Sequence, residues 1–133
     1  MIKSLNHIGI AVKNLDESIE IFRKIFSFEN IHRETVEEQK VEIASFKVGD
    51  LLIELTTPKD NSSPITKFLE KRGEGIHHIS FETDDVNKEL ERLSNEGIQL
   101  INQTATNGAH DLKIAFLHPK TTNGVLIEIC QKK

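Results

Sequence analysis

Two stretches of this chain repeat each other: HIGIAVKNLD at 7–16 and HISFETDDVN at 78–87. Laying His7 on His78 sets an offset of 71 (78 − 7) and brings Ile8 onto Ile79, Ile10 onto Phe81 and Leu15 onto Val86. Further on, LLIEL (51–55) falls on VLIEI (125–129), with Glu54 on Glu128 at an offset of 74 (128 − 54). Connecting loops absorb the difference. Two such matches inside a repeated element order mark an internal duplication. The chain must therefore fold as two like modules.

Each module reads as a strand, a helix and further strands. NHIGIAV (6–12) alternates, with His7, Gly9 and Ala11 on one face and Ile8, Ile10 and Val12 on the other. Asn14 begins a helix with Glu17 three residues later, a capping pattern. Leu15, Ile19, Phe22 and Phe26 form its apolar stripe. KVEIASFKV (40–48) and LLIELTTP (51–58) are strands joined at Gly49-Asp50. SSPITKFLEKRG (62–73) is a short helix with Ser63 as cap, Pro64 in its first turn and Gly73 as its stop.

Then the order restarts. HHISFETDD (77–85) is a strand, and DVNKELERLSNEG (85–97) is a helix with Val86, Leu90 and Leu93 inward. DLKIAFLHP (111–119) and NGVLIEIC (123–130) are strands about a turn at Asn123-Gly124. The expected organisation is one α+β domain over 1–133. Its first module spans about 1–60, a linker helix about 63–73, and its second module about 75–133.

A chain of 133 residues can bury a core without staples. The single cysteine, Cys130, excludes an intrachain disulfide and fits a reducing compartment. The N-terminus lacks a signal-peptide run, and no stretch reaches membrane-spanning length. The expectation is a soluble cytoplasmic protein without a membrane partner. A formal charge of −4 and the absence of Trp and Tyr argue against nucleic acid.

Neighbouring strand residues point to opposite faces. Of the adjacent His77 and His78, only His78 repeats, and it shares a face with Ser80 and Glu82. Glu54 and Glu128 likewise point away from the aliphatic residues flanking them. Four potential ligands thus project from the faces turned away from the helices: His7, Glu54, His78 and Glu128. Two imidazoles and two carboxylates suit one borderline divalent ion, such as Co, Zn, Ni, Mn or Fe, with positions left for substrate. Glu42, which shares a face with Ala44 and Phe46, is a further candidate for removing a proton.

At these residues the chain resembles the vicinal oxygen chelate (glyoxalase-like) superfamily, whose fold pairs βαβββ modules in a mixed, curved sheet around a metal. Within it the chain is similar to the methylmalonyl-CoA epimerase family. The matching pieces are LNHIGIAVKNLDESIEIFRKIF, IELTTP, GIHHISFETDD and GAHDLKIAFLHPKTTNGVLIEI. The resemblance implies His7, Glu54, His78 and Glu128 as metal ligands, and Glu42 and Glu128 as the catalytic acid–base pair. It also implies an acyl-CoA substrate, interconversion of the (R) and (S) forms of methylmalonyl-CoA, and a homodimer. Asp111 departs from the family pattern, in which Gly is common. Two other readings compete: a glyoxalase I acting on a glutathione thiohemiacetal, and a non-catalytic small-molecule-binding relative.

Overall fold

The computed structural model describes residues 1–133. The strands are β1 (Ile2–Ala11), β2 (His32–Val36), β3 (Val41–Val48), β4 (Leu51–Pro58), β5 (Gly75–Thr83), β6 (Thr106–Asn107), β7 (Leu112–Leu117) and β8 (Ile127–Lys132). The helices are α1 (Leu15–Phe26), α2 (Pro64–Arg72) and α3 (Val86–Asn95). The α+β class and the order β-α-β-β-β occur as the repeat requires, once from β1 to β4 and again from β5 to β8. No helix is long and apolar enough to cross a membrane.

The chain divides into two compact units, one of His7–His77 and one of Met1–Asn6 with His78–Lys133. In the first, β2 pairs antiparallel with β3, β3 antiparallel with β4, and β4 parallel with the later part of β1. In the second, β5 pairs parallel with β8, β8 antiparallel with β7, and β7 antiparallel with β6. Parallel strands need a long crossover, and α1 and α3 lie within these two crossovers. The two parallel ladders share one register. Glu54 stands opposite Gly9, and Glu128 opposite Ser80. Each of these partners lies two residues beyond a histidine of the repeat, so the overlay of His7 on His78 is also a structural one.

Local chemistry explains the helices. The Asn14 side chain accepts a hydrogen bond from the Glu17 amide at 3.0 Å, and Asp85 accepts one from Lys88 at 3.0 Å. Ser63 caps α2 by accepting from Ile65, and Pro64 occupies its first turn. These acceptors satisfy amides that the first helical turn leaves over. The apolar stripe of α1 buries Leu15 and Ile19 against Ala44, Phe46, Ile53 and Leu55. Val86 and Leu90 of α3 pack with Ala115, Leu117 and Ile129 in the same way. In each unit the helix covers the sheet face opposite the repeated glutamate.

Two details differ from the sequence reading. HRETV forms β2, a charged edge strand that the sequence reading does not include. Asn123 and Gly124 do adopt positive φ, of 57° and 82°. However, β7 ends at Leu117 and β8 starts at Ile127, with a 3-10 turn over Pro119–Thr121 between them. The connection is therefore longer than a tight hairpin.

Candidate metal centre

In the His7–His77 unit, β1 carries His7 and β4 carries Glu54. Their side chains approach to 3.7 Å between Nε2 and Oε2, and they are 3% and 8% exposed. In the other unit, His78 of β5 and Glu128 of β8 approach to 3.9 Å, at 6% and 5% exposure. These separations exceed a hydrogen bond. Two donor atoms held about 2.1 Å from a shared ion stand roughly 3–3.7 Å apart, so both pairs are spaced much as ligands are. Both glutamates are buried beside an imidazole rather than solvated, and burial of an uncompensated charge is costly.

The surrounding polar groups fit the same account. Ser80 Oγ, directly across the ladder from Glu128, is fully buried and has no hydrogen-bond partner. Thr56 Oγ1, on the face of Glu54, is likewise buried without one. An unsatisfied buried hydroxyl costs about 1–3 kcal/mol. Such atoms beside each His–Glu pair suit faces that receive a polar ligand. Neutral imidazole with carboxylate is a donor set for a borderline divalent ion, so the residues present fit a divalent metal.

The remaining candidates fall elsewhere. His77 points away from His78 and sets its ring edge-on to Phe68 of α2, with centroids 4.9 Å apart. His78 makes the corresponding edge contact with Phe116 at 5.7 Å. His118 caps the 3-10 turn that follows it, Nδ1 accepting from the Lys120 amide at 3.0 Å. Cys130 is fully buried on the face of Glu128.

Glu42 lies on β3, three residues before the residue that stands opposite Glu54. Partners in an antiparallel ladder share a face. Glu54 is opposite Ser45, whereas Glu42 is opposite Thr57. By strand alternation Glu42 shares its parity with Ala44 and Phe46, and it is exposed near the start of β3. Reasoning from the sequence passed over His32 and Glu34. They share a face of β2, and the imidazole Nε2 lies 2.8 Å from Glu34 Oε1. Their i, i+2 spacing was the available signal, masked because β2 was not recognised as a strand.

The family model described as Glyoxalase/Bleomycin resistance protein/Dioxygenase superfamily matches residues 6–116. The mitochondrial methylmalonyl-CoA epimerase of Dictyostelium discoideum is 37% identical over 132 residues, covering 98% of this chain and 80% of that one. An ethylmalonyl-CoA/methylmalonyl-CoA epimerase of Cereibacter sphaeroides is 35% identical, covering 98% and 99%. A solved methylmalonyl-CoA epimerase in complex with methylmalonyl-CoA and NH4+ superposes with a TM-score of 0.94 at 35% identity, covering 99% of this chain and 96% of that one. The chain belongs to the glyoxalase/bleomycin resistance protein/dioxygenase superfamily and, within it, to the methylmalonyl-CoA epimerase family.

Proposed function

We propose that this protein is a metal-dependent isomerase that interconverts the (R) and (S) forms of methylmalonyl-CoA. The observation that carries the reading is the pair of buried His–Glu couples in matching registers, on a chain similar over nearly its whole length to epimerases of malonyl-type thioesters. His7, Glu54, His78 and Glu128 are the ligands that the family resemblance implies, and they would hold a divalent ion whose identity among Co, Zn, Ni, Mn and Fe follows availability as well as geometry. When bound, that ion draws electron density from the oxygens flanking the substrate's α-carbon and so makes its proton removable. The acyl-CoA thioester is the substrate, and a homodimer is the assembly the family resemblance implies.

The residues supply binding and proton transfer. Glu128 has two duties, as ligand and as proton carrier, and its carboxylate alternates between them. Ser80 Oγ and Thr56 Oγ1 offer hydrogen bonds to the small acyl unit beside each couple. Inversion needs a second proton carrier. Glu42, the partner of Glu128 in the acid–base pair that the family resemblance implies, takes that role in this reading.

The deciding measurement is solvent deuterium entering methylmalonyl-CoA, with and without chelator. Rapid incorporation at the α-carbon, lost on chelation and restored by cobalt, is the expected result. Absence of incorporation in metal-loaded protein, with turnover of methylglyoxal plus glutathione instead, would overturn it.

A further inference from the structure

In the unit that holds His78–Lys133, the sheet face bearing His78 and Glu128 also carries an apolar cluster, separate from the one that α3 covers. Val86 and Leu90 of α3 pack on Ala115, Leu117 and Ile129. Leu112, Ile114 and Cys130 form the second cluster, with Phe116 packed against it. By strand alternation and ladder register these four residues share the face of Glu128. Leu112, Ile114 and Cys130 are almost wholly buried, whereas Phe116 is partly exposed. Phe116 is therefore the part of this cluster that a ligand can touch.

The ladder fixes its position. Phe116 stands directly opposite Glu128. Its amide donates to Asn102 Oδ1 at 2.7 Å, and its carbonyl accepts from the Ile101 amide at 2.9 Å. Both backbone groups thus turn away from β8, which makes Phe116 and Glu128 a non-hydrogen-bonded pair. Side chains in such pairs stand closer together than in hydrogen-bonded ones. The ring is also edge-on to His78. On the other side of Glu128, β5 presents Ser80. One cross-strand row therefore runs Ser80, Glu128, Phe116: a hydroxyl, a carboxylate and an aromatic ring.

That row matches the substituents of the reacting carbon, if the epimerase reading holds. A carbon that exchanges its proton with Glu128 carries a carboxylate, a thioester carbonyl and, in methylmalonyl-CoA, a methyl group. The first two have oxygens for polar partners such as the buried Ser80 Oγ. The alkyl group has none, and the apolar surface beside Glu128 is the Phe116 ring. We propose that Phe116 is the specificity-determining residue for the alkyl substituent, a wall against which methyl packs and which bars longer groups. Two backbone hydrogen bonds anchor it, and the buried cluster behind it leaves it little room to retreat. One methylene more or less in such a pocket changes catalytic efficiency by about 10–200-fold.

The test measures α-proton exchange with deuterated water for malonyl-CoA, methylmalonyl-CoA and ethylmalonyl-CoA. It uses cobalt-loaded wild type, F116L and F116A, with thermal midpoint, metal content and equilibrium binding of each thioester followed alongside. Malonyl-CoA carries no alkyl group, so dividing each kcat/KM by its value cancels any general loss. Wild type should favour methyl over ethyl by about tenfold or more. F116A should raise the ethyl-to-methyl ratio by about tenfold and weaken methylmalonyl-CoA binding relative to malonyl-CoA, with F116L changing both in the same direction. Should F116A fail to fold, F116L, which conserves most of the buried volume, decides alone. Ratios equal to those of wild type in the folded variants, or a wild type that treats methyl and ethyl alike, would overturn the assignment while leaving the epimerase reading intact. If wild type exchanges none of the three thioesters, the epimerase reading fails, and the role of Phe116 with it.

Discussion

Gly108 has an ordinary extended φ, yet it has no room for a side chain. A Cβ built there would lie 2.8 Å from the Ile114 side chain, which is itself 4% exposed. Gly108 also donates a hydrogen bond to the Leu112 carbonyl at 2.9 Å. Replacing it by Ala should overpack this corner and cost about 1–3 kcal/mol, seen as a lower urea midpoint with an unchanged slope. Just beyond it, His110 and Asp111 both take left-handed φ, 57° and 56°. Glycine takes that conformation without steric cost. Here Asp111 accepts the strain and pairs with Lys133 at 3.2 Å on the surface. The Asn and Gly turn signals at 123–124 were legible, whereas consecutive left-handed residues at His110 and Asp111 were not, because neither residue type demands the conformation.

Among the elements, α1 was the plainest in the sequence. Its cap, acidic first turn and basic last turn agree with one another, and the structure keeps all three. Asn14→Ala should cost about 1 kcal/mol, because the Glu17 amide loses its acceptor; chemical denaturation would measure it. Phe26, the far end of the predicted stripe, remains 41% exposed, since a regular stripe does not reveal how far the sheet beneath it extends. β2 was the least legible element. Arg33 reaches Asp16 at 2.7 Å from the other side of that strand while His32 and Glu34 share the opposite face. An edge strand with polar residues on both faces gives no hydrophobic alternation to detect.

For the molecule as a whole, acid sensitivity has an identifiable contributor. Glu89 of α3 is almost wholly buried. Its carboxyl is held below the ordinary glutamate value of 4.5, chiefly by the hydrogen bond from Arg92 and also by the terminal amine of Met1. Burial opposes this shift, but the paired charges outweigh it. A depressed native pKa contributes stability that is present above the unfolded value and is lost as pH falls through the native one. The urea midpoint should therefore decline below about pH 4.5, and E89Q should flatten that decline while lowering stability at neutral pH. An equally steep acid decline in E89Q would assign the effect to other carboxylates.

The sequence by itself determined the duplication, the positions of the histidines and glutamates that repeat, and the residues that share a face along each strand. Those features are local, because strand alternation and helix periodicity are properties of a single segment. Only the tertiary structure decided how the faces of neighbouring strands combine. Hydrogen-bond register sets that, and a shift of one residue reverses every side chain. It joined Glu54 with His7 and Glu128 with His78.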